Sequence, residues 1–152
     1  LHALAARVEA RETVVLSTCN RAEVYAVAET DAADTVGRFI AEYHGLPHER
    51  IAGHLYVQRG ADAARHLFRV AAGLDSLVVG EPQILGQIKE SYREAVRLHT
   101  TGVVLNRLLH KTFSVAKRIR TEGRLSPDLL NRFGEELLGA LDYLEQQYGK
   151  PK

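Results

Sequence analysis

The stretch VVLSTCNRAEVYA, residues 14–26, places the only cysteine of the chain between two apolar runs. The run TVVLST before it is β-branched and apolar, which is typical of a buried strand. The run EVYAVAE after it alternates, with Val24, Ala26 and Ala28 on one face. The polar residues STCNRA therefore predict the connection between two strands, with Cys19 at or next to a strand end.

Helical patterns surround these two strands. The opening LHALAARVEA has apolar residues at helical spacing, and Asp31 and Asp34 begin a helix that Gly45 and Pro47 close. HLYVQ, residues 54–58, predicts a third short strand. Later helices are predicted over 61–73, from 82 onward, over about 103–122, and after 127. The predicted fold class is α+β, with a small antiparallel or mixed sheet, packed helices and long helices after it.

Length and composition restrict the classes of protein to which this chain can belong. The chain has 152 residues, 45% hydrophobic and 26% charged, which is enough for one globular domain with a core. The formal net charge of +1 gives no whole-chain attraction to nucleic acid or membrane. No apolar run reaches the roughly 18 residues of a membrane span, and one cysteine suits a reducing cytoplasm. The chain starts at Leu1 inside a predicted helix, so we expect a fragment.

Common catalytic and nucleotide motifs are missing. The sequence has no G-x-G-x-x-G, no P-loop, no G-x-S-x-G and no H-E-x-x-H, which argues against a nucleotide fold inside this chain. His44, His48 and His54 cluster, but a helix break separates the first two. Solvated loop histidines therefore explain the cluster better than a metal site does.

Two interpretations of Cys19 are open. A free cysteine is often a buried small hydrophobe, but this one lies in a polar connection, and Arg21 is near enough to favour a thiolate. His66 is a candidate proton partner, although its neighbours Leu67 and Phe68 also suit a half-buried structural histidine. Gln83 and Gln87 share a helix face and suit either a small zwitterionic ligand or plain solvation.

The predicted long helix is basic. It carries five Lys or Arg and no acid between 107 and 120: Arg107, Lys111, Lys117, Arg118 and Arg120. A phosphate-binding row and an ordinary solvated helix surface are both compatible with this pattern.

LSTCNRAEVY, together with HLFRVAAGLDSLVVGEPQILGQIKESYREA, resembles the catalytic domain of the glutamyl-tRNA reductase family over about residues 1–122. LNRLLHKTFSVAKRIRTE resembles the start of that family's long connecting helix. The resemblance implies a glutamyl thioester on the cysteine, formed from glutamyl-tRNA and reduced with NADPH to glutamate-1-semialdehyde for tetrapyrrole synthesis. It also implies a homodimer, and the aminomutase that uses the semialdehyde is a candidate partner.

The resemblance assigns roles to single residues. It makes Cys19 the nucleophile and His66 the histidine that is important for activity. It implies substrate contacts at nine positions: Thr18, Cys19, Asn20, Arg21, Ser76, Glu81, Pro82, Gln83 and Gln87.

The chain also departs from the family pattern. We expect a catalytic domain over 1–100 without its first strand, the connecting helix over 101–122, and an amphipathic helix of unknown role over 123–152. No NADPH domain or dimerisation region is recognisable. Two alternatives to a reductase follow: a non-catalytic paralogue that binds tRNA or a partner, and a fragment with only acyl-transfer and hydrolytic activity.

Overall fold

The structure is a computed structural model that describes residues 1–74 and 83–122. Within these residues the chain forms two compact units, 1–57 with 91–105, and 58–74 with 83–90 and 106–122. The described elements follow in this order: α1 (His2–Arg7), β1 (Ala10–Ser17), β2 (Ala22–Ala28), α2 (Ala33–Tyr43), α3 (His48–Ala52), α4 (Gly60–Ala71), α5 (Gln83–Arg97) and α6 (Val103–Glu122).

The first unit is built on an antiparallel hairpin of β1 and β2. Val15 pairs with Val24, and the ladder ends with Ser17 opposite Ala22. Val14 and Leu16 are buried almost completely, as the β-branched and apolar composition of this run predicts. The hairpin therefore fixes the position of the four residues that connect its strands.

The start of β1 is bonded to the segment between α5 and α6. The Thr13 N–H donates to the Thr100 carbonyl at 2.7 Å, and the Thr100 hydroxyl donates to the Thr13 carbonyl at 2.9 Å. The Glu12 carboxylate accepts the N–H groups of Val104 and Leu105 at 3.1 and 2.6 Å. These are among the first N–H groups of α6, which have no partner inside the helix. A strand residue 92 positions away thus caps the long helix.

Small apolar clusters form among the described residues of the second unit. Ala64 and Phe68 of α4 pack with Leu108 of α6. Ala72, Val115 and Ile119 form another cluster, with Leu74 against it. Gly73 follows α4 with a φ of 75°, a left-handed conformation that glycine adopts at little cost.

The predicted third strand over 54–58 is wrong. Within the described residues the sheet has only β1 and β2, and this segment is an irregular connection. Its side chains are exposed, although Leu55 lies against α2: a Cβ on Gly37 would be 2.9 Å from Leu55 Cδ1. The Tyr56 hydroxyl bonds to Glu23 of β2 at 2.6 Å. An apolar, β-prone run is not a strand without a neighbour for its N–H and C=O groups.

The α+β class and the helices predicted near 33–43, 60–73, 83–97 and 103–122 are confirmed. The helix predicted after 127 lies outside the described residues. In the part of the chain that the structure describes, no helix combines the length and apolarity that a membrane crossing requires.

Candidate active site

Cys19 lies in the connection between β1 and β2, where it is exposed and not in a disulfide. Thr18 shapes this turn: its hydroxyl oxygen accepts the N–H groups of Asn20 and Arg21 at 3.2 and 3.1 Å. The Thr18 N–H donates to the Arg21 carbonyl at 2.8 Å, which closes the turn around Cys19 and Asn20. The interpretation of Cys19 as a buried core sulfur is therefore wrong, while its role as a nucleophile stays a prediction.

Arg21 leaves this turn and binds a buried carboxylate. Its Nη1 donates to Glu23 Oε1 at 2.9 Å, and the two side chains are only 17% and 7% exposed. Low exposure reduces solvent screening, so this ion pair holds the guanidinium more firmly than a surface pair would. The structure thus holds Arg21, two residues after Cys19, through its carboxylate partner.

Glu23 also accepts hydrogen bonds from two phenols. The Tyr56 hydroxyl donates to Oε1 at 2.6 Å, and the Tyr25 hydroxyl donates to Oε2. Burial, and next the neighbouring Glu23 charge, raise the pKa of Tyr25, so this phenol stays protonated and keeps donating. We call Arg21, Glu23, Tyr25 and Tyr56 the Glu23 network.

Sequence reasoning missed most of the Glu23 network. Arg21, Glu23 and Tyr25 are two positions apart along a strand and its approach, and alternate residues of a strand face the same side. From that spacing, an ion pair between Arg21 and Glu23 with a tyrosine beside it could have been predicted. Tyr56 gave none, because it lies 33 positions from Glu23 in an irregular connection.

The other predicted site residues lie in the second unit or outside the described residues. His66 is half-buried on α4. Gln83 is exposed and Gln87 is half-buried, one turn apart at the start of α5. Ser76, Glu81 and Pro82 fall in the range that the structure does not describe. The geometry therefore brings together Thr18, Cys19, Asn20 and Arg21, and the roles of the remaining positions stay predictions.

A metal centre has no support in the residues that are described. Over 1–74 and 83–122, no three His, Cys, Asp or Glu side chains are placed to hold an ion. His44 and His54 are exposed and lie outside the helices, as predicted, whereas His48 is half-buried at the first position of α3.

Fold and site together define an α+β domain that exposes a cysteine on a hairpin turn. Among solved structures, this chain is similar to the glutamyl-tRNA reductase from Methanopyrus kandleri, with a TM-score of 0.69 and 36% identity. The similarity covers 80% of this chain and 28% of that one.

The sequence comparisons show the family. The family model described as glutamyl-tRNAGlu reductase, N-terminal domain, matches residues 1–123, and the chain belongs to this family. The glutamyl-tRNA reductase of Citrifermentans bemidjiense is 52% identical over 128 residues, which is 83% of this chain and 30% of the relative. That of Trichlorobacter lovleyi is 55% identical over 117 residues, 76% of this chain and 27% of the relative. The chain thus spans less than a third of the length of these relatives.

Proposed function

We propose that this chain performs the glutamyl-transfer half of the glutamyl-tRNA reductase reaction, with Cys19 as the nucleophile. The observation that carries the proposal is the exposed thiol in a turn held by Thr18, beside an arginine anchored on a buried carboxylate. A nucleophile needs exposure and a fixed position, and both are present. The membership of the chain in the family supplies the substrate class.

The proposed step is an acyl transfer. The Cys19 thiolate attacks the ester carbonyl of glutamyl-tRNA, a C–S bond forms, and the bond to the ribose oxygen breaks. His66 gives a proton to the departing oxygen. The products are a glutamyl thioester on Cys19 and free tRNA. A thioester has weak resonance stabilisation, which makes it a suitable precursor of the aldehyde.

Arg21 is the proposed contact for the side-chain carboxylate of the glutamyl group. A guanidinium carries five N–H donors, so an Arg21 anchored on Glu23 can also bind a second carboxylate. Glu23 has the complementary task of holding that guanidinium in place. Substrate contacts at Thr18, Asn20, Gln83 and Gln87, and at Ser76, Glu81 and Pro82, belong to the same proposal. The Thr18 hydroxyl also holds the turn.

The hydride donor of the family, NADPH, does not fit the described residues. Dinucleotides bind at the carboxyl ends of parallel strands, next to a glycine-rich turn. The described sheet is a two-stranded antiparallel hairpin, and the sequence has no G-x-G-x-x-G. We therefore assign no reduction step to these residues.

Several further points belong to the proposal. They are the division into 1–100, 101–122 and 123–152, the tRNA partner, the aminomutase partner and the homodimer. A thiol that must stay reduced also suits the cytoplasm.

The test follows radiolabelled glutamate from glutamyl-tRNA onto the protein. We expect up to one label per chain, released by hydroxylamine as a thioester is, and at least a hundredfold slower labelling of Cys19→Ser. Ser17→Ala is the matched control, since it changes an exposed neighbour outside the turn hydrogen bonds. Labelling of Cys19→Ser at the wild-type rate would refute the proposal, and tRNA binding without label would favour the non-catalytic paralogue.

A further inference from the structure

The exposed side of α6 is free of acidic side chains over most of its length. The helix carries five Lys or Arg, and its one acid is Glu122 at the last position, in a chain whose formal net charge is only +1. The opposite side is apolar and buried, through Leu105, Leu109, Val115, Ala116 and Ile119. The basic side chains therefore belong to the solvent side of the helix. We call Arg107, Lys111, Lys117 and Arg118 the α6 basic face, since they lie within an arc of about 120°.

Three arginines on the other described helices are neutralised by an acid within one turn of the same helix. Arg38 pairs with Asp34 on α2, Arg65 with Asp62 on α4, and Arg97 with Glu94 on α5. Such pairs are the usual arrangement of a solvated helix surface. On α6 no acid lies within one turn of Arg107, Lys111 or Lys117, and within the described residues Arg107 and Lys117 have no ion-pair partner.

A further cation lies beside this helix. The Lys89 ammonium of α5 is 5.8 Å from the centroid of the Phe113 ring on α6. The aromatic face favours a cation at this distance. Positive charge is thus concentrated around the middle of α6 from two elements of the same unit.

We propose that the α6 basic face binds the phosphate backbone of tRNA. Arg107 and Lys117 are ten residues apart, or about 15 Å along the axis, a length that meets several successive phosphates. A membrane surface fits less well, because a membrane-binding helix places large apolar side chains beside its basic ones. From Arg107 to Thr121 the exposed positions of α6 are polar or basic throughout. This proposal rests on the proposed function for its choice of RNA.

The test measures binding of uncharged glutamate-accepting tRNA to the full chain, between about 50 and about 200 mM salt. Without an acyl group no thioester forms, so binding is separated from chemistry at Cys19. We expect Arg107→Gln with Lys117→Gln to weaken binding on the order of tenfold, and to lower the slope of log K against log salt by about 0.7 to 0.9 per lost contact. Arg38→Gln with Arg65→Gln removes the same charge from paired arginines and should keep affinity within about twofold.

The outcomes separate the two proposals. An unchanged affinity and slope in the α6 variant overturns this inference, and normal labelling of Cys19 in that variant leaves the proposed function intact. An equal loss in both double variants also overturns it, because total charge rather than this face then decides binding. If the protein binds anionic lipid vesicles but not tRNA, the inference is also overturned. A weakened α6 variant with an unchanged melting temperature supports it.

Discussion

The buried carboxylate of Glu23 is the shared acceptor of hydrogen bonds from residues two to six positions after Cys19 and from the connection before α4. It is 8% exposed and accepts bonds from a guanidinium and two phenols. Buried charge is costly unless it is paired, and here both members of the pair depend on each other. The position of Arg21, and with it the proposed carboxylate site, therefore depends on Glu23.

Replacement of Glu23 tests whether its buried ion pair contributes more to stability than an exposed ion pair does. Glu23→Gln removes the charge but keeps the size, and we expect the free energy of unfolding to fall by about 1–3 kcal/mol. Labelling of Cys19 should slow mainly through a higher KM. The control is Glu29→Gln, which breaks the exposed Arg11–Glu29 pair and should cost less than about 1 kcal/mol. Equal losses of stability from urea titrations of the two variants would contradict the assigned role.

Tyr25 should make stability depend on pH in the alkaline range. Burial, and next the Glu23 charge, raise the pKa of Tyr25 in the folded protein above its ordinary value of about 10. The contribution of Tyr25 to the free energy of unfolding is fully present below pH 10. It is lost at higher pH, because the unfolded chain then releases the phenol proton and the folded chain does not.

We expect the free energy of unfolding to fall by up to about 1.4 kcal/mol per pH unit above pH 10, and we expect the Tyr25→Phe variant not to show this fall. Urea unfolding between about pH 9 and about pH 11 measures this slope. Tyr43→Phe is the control, since it makes the same chemical change at a residue that is 78% exposed. A Tyr25→Phe variant with the wild-type slope would show that this phenol ionises equally in both states.

The Glu12 carboxylate of β1 caps α6, and Gly102 leaves the space that this carboxylate occupies. A Cβ at Gly102 would lie 2.7 Å from Glu12 Oε1, too close for both groups to stay in place. We expect Glu12→Ala to cost about 1–2 kcal/mol, because the N–H groups of Val104 and Leu105 lose their acceptor. Gly102→Ala should cost a similar amount by displacing the carboxylate.

A double-mutant cycle tests this cap. Once Glu12 is alanine, Gly102→Ala should cost much less, since the obstructing side chain is gone. Gly86→Ala on α5 is the matched control: a Cβ there meets nothing within 4 Å, so alanine should stabilise by about 1 kcal/mol. Additive costs at Glu12 and Gly102 would show that the two positions act separately.

Local patterns were sufficient for most elements but not for long-range contacts. The apolar stripe of α6 and the run before Cys19 predicted a helix and a strand, because burial of one face sets the residue period. The role of Glu12 could not be predicted from a local pattern, because it depends on N–H groups 92 and 93 positions away. Leu55 likewise satisfied strand propensity, yet it packs on Gly37 of α2. The thiol was singled out by its polar neighbours, whereas the contact with Tyr56 depends on tertiary packing alone.

Residues 1–123 of the chain correspond to one part of its relatives. The chain covers 30% of the Citrifermentans bemidjiense reductase, and the family model that matches it is the N-terminal domain. The described residues offer a thiol, an anchored guanidinium and a basic helix face, but no sheet of the kind that holds a dinucleotide. If the proposed function is correct, we therefore expect acyl transfer without hydride transfer from the 152-residue chain.

We expect this chain, given glutamyl-tRNA and NADPH, to form the thioester and then release free glutamate by slow hydrolysis. The absorbance of NADPH should stay constant while the label on Cys19 rises in a burst and deacylated tRNA accumulates. Without a hydride step, water is the acceptor that we expect for the acyl group. The full-length relative from Citrifermentans bemidjiense serves as the control, assayed under the same conditions. Oxidation of NADPH by the 152-residue chain, with an aldehyde as product, would contradict the separation and place the hydride step within this chain.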